Sequence, residues 1–141
     1  MVELQRPVLD IALVVRDFEK ALEFYRDKLG FIPTRQINVD DGTARRTGLG
    51  AAGFDIQYMR IGDVNLKLVH MKNSPPTGPT GSNTVYGYRY VTMWVEDMDR
   101  TYEEWRANGV EFLSEPIRRT PDMRVVVLKD PEGNLIEILG P

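Results

Sequence analysis

The sequence contains no cysteine and only one histidine, His70. Without cysteine the chain cannot form disulfide bonds, thiolate zinc sites or iron–sulfur clusters, and it cannot use a cysteine nucleophile. A single histidine also excludes a histidine-rich metal site. Any chemistry must therefore rely on carboxylates, lysine, arginine, tyrosine or backbone groups.

Long apolar runs and an excess of positive charge are missing as well. No stretch approaches the roughly 20 apolar residues of a membrane-spanning helix, and residues 1–9 lack the basic and then apolar segments of a signal peptide. The formal net charge is −3, with Lys and Arg scattered among Asp and Glu. We therefore expect a cytoplasmic protein that binds neither membranes nor nucleic acid.

The chain does contain enough apolar residues for a core. It has 141 residues, of which 42% are hydrophobic and 28% are charged, and these values are typical of a single globular domain. Proline and glycine concentrate in residues 72–87, which we interpret as a linker between two modules at about 7–72 and 86–141.

The two modules repeat each other. In each one an apolar strand is followed by an aspartate that can cap a helix, and a glycine ends the predicted helix. Residue n of the first strand and helix matches residue n + 80, and residue n of the last strand matches residue n + 70. The matched pairs include Ile11 with Val91, Val15 with Val95, Asp17 with Asp97, Leu66 with Ile136, Lys67 with Glu137 and Leu68 with Ile138.

Each half is thus predicted to be a βαβββ unit, which indicates an α+β fold. Two such units should form a curved, barrel-like mixed sheet around a cleft, with the helices outside. Because side chains alternate along a strand, every second residue of each first strand should face the cleft. These residues are Asp10, Ala12, Val14, Tyr90, Thr92 and Trp94.

The end of the chain carries a carboxylate in an apolar strand. Residues 130–134 predict a turn between two strands, because Asp, Pro, Gly and Asn occupy it in an order that suits a turn. In the second strand Glu137 shares a face with Leu135 and Leu139. An ionised carboxylate on such a face needs a hydrogen bond, a charged partner or a metal unless the face is exposed to water.

These residues resemble the glyoxalase, bleomycin-resistance and extradiol-dioxygenase superfamily, also called vicinal oxygen chelate. The resemblance covers nearly the whole chain and rests on residues 9–17, 24–31, 95–99 and 130–137. It implies a small-molecule substrate or ligand, a homodimer, and one divalent metal held by inward side chains of the first and last strands of each half. The positions that correspond to the metal ligands are Asp10, Lys67, Tyr90 and Glu137.

Lys67 departs from the family's usual His, Glu or Gln at this position. An ammonium must lose its proton to bind a metal and repels a divalent cation while it is charged. We therefore expect no cofactor. If a metal does bind, Asp10 and Glu137 are the predicted ligands, and oxygen ligands favour Mg²⁺, Mn²⁺ or Fe²⁺.

Three functions stay open. The first is a metal-independent isomerase, epimerase or lyase, in which Lys67 stabilises an enolate oxygen, Glu137 moves a proton, Tyr90 donates to the same oxygen and Asp10 balances the lysine. The second is a non-catalytic binder of a small molecule or antibiotic in an aromatic cleft. The third is a metalloenzyme of the family. Further substrate contacts are predicted at Trp94, Thr92, Tyr58, Gln57, Arg45 and Arg46, the two arginines lying in a glycine-rich loop at Gly42 to Gly53.

Overall fold

The computed structural model describes residues 3–76, 78 and 86–141, and the chain divides into two units. Unit 1 comprises residues 1–76 and unit 2 comprises residues 77–141. The predicted linker at 72–87 falls partly outside the described residues. The predicted cleft, which needs both sheets, stays a prediction.

Unit 1 is a four-stranded sheet with two helices. The strands are β1 (Ile11–Val14), β2 (Ile32–Val39), β3 (Phe54–Ile61) and β4 (Val64–Met71), and the helices are α1 (Phe18–Glu23), which continues as a π-helical turn over Phe24–Lys28, and α2 (Asp41–Thr47). The strand order is β1-β4-β3-β2, with β1 and β4 parallel and the other pairs antiparallel.

Unit 2 follows the same plan with one helix. Its elements are β5 (Tyr90–Trp94), α3 (Met98–Ala107), β6 (Glu111–Phe112), β7 (Ile117–Thr120), β8 (Met123–Lys129) and β9 (Leu135–Gly140). The order is β5-β9-β8-β6, β7 also pairs with β8, and β5 runs parallel to β9. The α+β class is confirmed, and each sheet is open rather than closed on itself into a barrel.

The strand register confirms the internal repeat. In unit 1, Ala12 is the register partner of Lys67. In unit 2, Thr92 is the register partner of Glu137. These two pairs are related by the same two sequence offsets that the amino-acid pattern predicted, so Lys67 and Glu137 occupy equivalent places in the two sheets.

An aspartate side chain caps the N-terminus of each of the three α-helices in the described residues. The carboxylate of Asp17 accepts a hydrogen bond from the Lys20 backbone N–H at 3.1 Å, and that of Asp97 accepts one from the Arg100 N–H at 3.0 Å. Both caps were predicted, and each satisfies a backbone donor that the first helical turn leaves unpaired. The helices within the described ranges are too short or too polar to cross a membrane.

The prediction of a loop at residues 42–53 was wrong for its first half. Asp40 caps α2 by accepting hydrogen bonds from the backbone N–H and the hydroxyl of Thr43, both at 2.8 Å, and Gly48 ends the helix at a φ of 75°. Ala44 is completely buried against Phe54 and Val69. Aspartate followed by glycine indicates a turn locally, but this packing stabilises a helix instead.

The two helices of unit 1 lie on opposite faces of its sheet. The ring of Phe18 in α1 stacks on His70 with 5.9 Å between centroids. Alternation along β4 places His70 on the opposite face from Lys67, as regular strand geometry requires. The helix α2 packs on the face that carries Lys67, because Val69 and Phe54 belong to that face. The sequence predicted α1, which lies on the face opposite Lys67, and did not predict α2.

The predicted turn before β9 is confirmed. Asp130 is 5% exposed and accepts hydrogen bonds from the backbone N–H groups of Glu132 at 2.9 Å and Asn134 at 2.8 Å, and from the Asn134 side chain at 2.9 Å. Gly133 takes a φ of 85°, which favours glycine. The turn thus sets the register between β8 and β9, and with it the position of Glu137.

Replacing Asp130 with Ala should lower the free energy of unfolding by about 2 kcal/mol, because the turn's backbone donors lose their acceptor in a buried place. Urea titration followed by circular dichroism measures this change. Asp122, which is exposed in the β7–β8 connection, is the control, and its replacement with Ala should change the free energy by less than about 0.5 kcal/mol. Equal effects of the two replacements would contradict the assignment.

Candidate functional site

The sheet of unit 1 brings Lys67 against the ring of Tyr58. The two residues are direct register partners on β4 and β3, so their side chains project from the same face. The Lys67 Nζ atom lies 5.3 Å from the centre of the Tyr58 ring, within the range of a cation–π interaction. Tyr58 is 7% exposed and Lys67 is half-buried, so the ammonium is held beside a buried aromatic ring.

Asp10 lies beside this pair and is held by polar neighbours. Its carboxylate accepts a hydrogen bond from the Asn65 side chain at 3.1 Å and one from Arg6 at 3.4 Å. The Asn65 hydrogen bond lowers the pKa of Asp10 below its ordinary value, and the positive charges of Arg6 and Lys67 add to the effect. Asp10 is therefore a fixed negative charge at neutral pH, and the sequence did not reveal that Asn65 is its hydrogen-bond partner.

Arg35 is a second cation on the same ring. Its Cζ atom lies 4.3 Å from the centre of Tyr58. The pairing of β2 with β3 shifts between Pro33 and Gln36, so that Thr34 and Arg35 both lie opposite the single residue Tyr58. This is a β-bulge, which interrupts the alternation of side chains and redirects one of them. The alternating pattern of the sequence could not predict Arg35 here.

Gln57 is buried on the opposite face from Tyr58. It is 6% exposed and pairs in register with Leu68. Its Nε2 donates to the backbone oxygens of Arg35 at 3.3 Å and Tyr58 at 3.0 Å, and its Oε1 accepts from the Gln36 side chain at 2.9 Å. The structure therefore places this predicted substrate contact as a support of the bulge, not on the face that carries Lys67.

Arg45 and Arg46, two other predicted contacts, lie on α2. Both are exposed, and Arg45 donates to the Ala51 backbone oxygen at 3.5 Å. The buried Ala44 packs this helix over Phe54 on the same sheet face as Lys67. The arginines thus belong to a helix fixed by packing, where the sequence had indicated a flexible loop.

In unit 2, Glu137 accepts a hydrogen bond from a hydroxyl group. The Thr92 Oγ1 atom donates to Glu137 Oε1 at 3.0 Å across the parallel β5–β9 pair. Glu137 is half-buried between Leu135 and Leu139, which are 7% and 8% exposed. The carboxylate is thus neither fully exposed nor buried without a partner.

Tyr90 and Trp94 share the face of Thr92 by strand alternation. Tyr90 is 54% exposed and Trp94 is 70% exposed in the described chain. Unit 2 therefore has two accessible aromatic side chains on β5 and the Glu137 carboxylate on the neighbouring strand β9.

At two of the family's metal positions, Lys67 and Asp10, the residues of unit 1 are poorly suited to a divalent ion. Lys67 offers an ammonium instead of a lone pair, and the Asp10 carboxylate already accepts from Asn65 and Arg6. Within the described part of each unit, no three His, Asp or Glu side chains come close enough together to hold a metal ion.

A family model and two known proteins each match most of this chain. A family model described as Glyoxalase/Bleomycin resistance protein/Dioxygenase superfamily matches residues 8–138. The uncharacterized protein YraH of Bacillus subtilis is 29% identical over 136 residues, covering 93% of this chain and 95% of that protein. The mitochondrial methylmalonyl-CoA epimerase of Mus musculus is 24% identical over 133 residues, covering 91% of this chain and 69% of the epimerase.

Solved structures show the same fold. The crystal structure of a glyoxalase family protein from Bacillus cereus matches with a TM-score of 0.80 and 23% sequence identity, covering 99% of this chain and 97% of that one. A domain from Frankia, described as glyoxylase/bleomycin resistance protein/dioxygenase, matches with a TM-score of 0.70 and 14% identity, covering 99% of this chain and 92% of that one. At these identities the likeness concerns the fold alone.

Replacing Asn65 with Ala should raise the pKa of Asp10 toward its ordinary value of 3.8, because the largest cause of the lowering is removed. A carboxylate with a lowered pKa in the folded state adds stability that is present above its unfolded pKa and is lost as the pH falls through the folded pKa. The variant should therefore lose less stability on acidification below about pH 4 than the parent chain does. Carboxyl ¹³C NMR titration measures the pKa directly.

The matched control for this experiment is Asn38→Ala. Asn38 donates to Asp55 at 2.7 Å, so its loss removes a similar amide–carboxylate hydrogen bond elsewhere in unit 1. The titration of Asp10 should stay unchanged in this control. An unchanged Asp10 titration in the Asn65 variant would show that the amide does not set the pKa.

Proposed function

Because the chain belongs to the Glyoxalase/Bleomycin resistance protein/Dioxygenase superfamily, we propose that it is a metal-independent enzyme that moves a proton next to a carbonyl group. The reaction class is that of an isomerase, epimerase or lyase acting on a small molecule. The observation that carries the proposal is the Lys67 ammonium, which occupies a family metal position and lies 5.3 Å from the Tyr58 ring centre.

Lys67 supplies the positive charge that a metal provides in other members of the family. Removing a proton from the carbon beside a carbonyl pushes an electron pair onto the carbonyl oxygen and forms an enolate. A nearby ammonium stabilises that oxygen most strongly where water is partly excluded, because the local dielectric constant is lower. In unit 1, no described carboxylate lies within 4.0 Å of Nζ, so the ammonium is not neutralised by a close ion pair.

Asp10 supplies a negative charge near this lysine. The pKa of Asp10 is lowered first by the Asn65 hydrogen bond and further by the charges of Arg6 and Lys67. The carboxylate is anchored to Asn65 and Arg6. Lys67 therefore has a balancing charge that does not occupy its hydrogen-bond donors.

Glu137 is the proposed base. As a carboxylate it accepts the proton from carbon and returns it to the same or to a neighbouring carbon, which gives exchange or isomerisation. Epimerisation requires in addition a second proton donor on the opposite face of the enolate. The Thr92 hydroxyl bonds to Oε1, leaving Oε2 for the substrate proton. Tyr90 on the same strand is the proposed donor to the enolate oxygen. The named function of the mouse relative, epimerisation of methylmalonyl-CoA, supports this reaction class.

A second candidate is a binder without chemistry. It is favoured by the exposure of Trp94 and Tyr90, and of Tyr86 and Tyr88, which the described chain leaves fully accessible. Exposed aromatic rings bind planar or cationic compounds by stacking and cation–π contact.

The cytoplasmic location and the homodimer remain predictions.

Exchange of the substrate's carbon-bound proton in D₂O tests the enzyme proposal. Methylmalonyl-CoA and a set of small α-hydroxy ketones serve as probes, and ¹H NMR follows loss of the proton signal. Replacing Lys67 with Met or Glu137 with Gln should reduce the exchange rate by at least about 100-fold, since each removes a group that acts in the transition state. Protein treated with EDTA should keep its rate.

Two controls sharpen this test. Lys72→Met removes an exposed lysine beyond the end of β4 and should leave the rate unchanged. The double variant of Lys67 and Glu137 should exchange the proton about as fast as the slower of the two single variants. This result is expected for two groups that act in the same step. Undiminished exchange in Lys67→Met, or exchange with none of the probes, would contradict the proposal.

Titration with bleomycin tests the binder. If the second candidate holds, tryptophan fluorescence should change saturably, Trp94→Ala should weaken binding by about tenfold or more, and mass spectrometry should recover the compound unaltered. Trp105 lies half-buried in α3, so Trp105→Phe is the control that should retain binding. Chemical change of the compound during incubation would exclude a purely sequestering role.

A further inference from the structure

We infer that Arg35 and Lys67 form a binding site for an oxyanionic group on the Tyr58 ring, and that the substrate is therefore an anionic carbonyl compound. The assignment of the bound molecule as substrate rests on the proposed function. The anion site itself rests only on the geometry of unit 1.

Two cations converge on one ring in this site. The Arg35 Cζ atom lies 4.3 Å and the Lys67 Nζ atom lies 5.3 Å from the centre of Tyr58. Because both distances start from the same point, the two charges lie within about 10 Å of each other, comparable to the Debye length at 0.1 M salt. They therefore repel each other across a short distance that salt screens only in part.

No carboxylate in the described part of unit 1 pairs with either cation. Arg35 and Lys67 take no part in the ion pairs of this unit, in contrast to Arg26, which contacts Asp27 at 2.7 Å. The Asp10 charge acts on Lys67 from a distance while its oxygens bond to Asn65 and Arg6. An anion bound beside the ring would be attracted by both cations and would lower their mutual repulsion.

The bulge in β2 fixes the arginine of this pair. It places Thr34 and Arg35 together opposite Tyr58, and the buried Gln57 amide donates to the Arg35 backbone oxygen at 3.3 Å. Thr34 Oγ1 donates to the Tyr58 backbone oxygen at 3.4 Å. These bonds position the Arg35 backbone before any ligand binds, so less conformational entropy is lost when an anion is captured.

The chemistry of the two cations defines the ligand. A guanidinium offers paired donors that match the two oxygens of a carboxylate or phosphate, whereas an ammonium acts as a point charge. Together they suit a planar carboxylate or a phosphate group next to the carbonyl that Lys67 polarises. A neutral ketone of the same size would leave the Arg35 donors unused.

Titration of the full chain with malonate, inorganic phosphate and the neutral malonamide tests the site. Calorimetry gives the affinities, and NMR shifts of Tyr58 and the Lys67 side chain locate the ligand. We expect saturable binding of malonate or phosphate that weakens as salt rises, and none of malonamide. Arg35→Leu should weaken anion binding by at least about tenfold, and Arg35→Lys should weaken it less.

Arg60→Gln is the matched control, since it removes the same charge from an exposed arginine on β3 that does not contact the Tyr58 ring. It should change anion affinity by no more than about twofold. Equal losses in Arg35→Leu and Arg60→Gln, or equal binding of malonamide, would overturn the site. Stronger binding of malonate than phosphate assigns the group as a carboxylate, and the reverse order assigns it as a phosphate.

The exchange experiment with Glu137→Gln separates this inference from the proposed function. In that variant malonate binding should persist while proton exchange is lost, because the donors of Arg35 and Lys67 are unchanged. Anion binding without proton exchange by the parent chain would support the site and remove the proposed function. Proton exchange that is equally fast for neutral probes and in Arg35→Leu would remove the anionic substrate and leave the proposed function.

Discussion

The parallel pairing of the first and last strands in each unit determines which side chains share a sheet face. Parallel strands require a crossover, and here the helix and the intervening strands provide it. The register then places Ala12 beside Lys67 and Thr92 beside Glu137. Because a shift by one residue would turn each side chain to the opposite face, the functional groups depend on this register more than on any loop.

The electrostatics of unit 1 are organised around Tyr58. Its buried ring gives two cations a favourable surface at little cost in solvation, and cation–π contact contributes on the order of 1 kcal/mol for each. Asp10, whose pKa is lowered, balances part of this charge. Unit 2 instead holds a carboxylate bonded to a hydroxyl, so the two sheets carry different chemistry on a common plan.

Local sequence rules predicted the features that depend on neighbours in the chain. The caps at Asp17 and Asp97, the turn at Asp130 and the repeat offsets follow from short-range hydrogen bonding and alternation. The rules failed where distant packing decided the outcome. Ala44 stabilises a helix through contacts with residues of β3 and β4, and the bulge at Arg35 breaks the alternation on which strand predictions rest.

The equivalence of Lys67 and Glu137 has a consequence for symmetry. An assembly of identical single modules would present the same residue at every equivalent position, so all would be lysine or all would be glutamate. A chain that contains both modules can carry a different residue in each, and here the equivalent positions hold a cation in unit 1 and a carboxylate in unit 2. The repeat is therefore regular in its backbone and unequal in its charge.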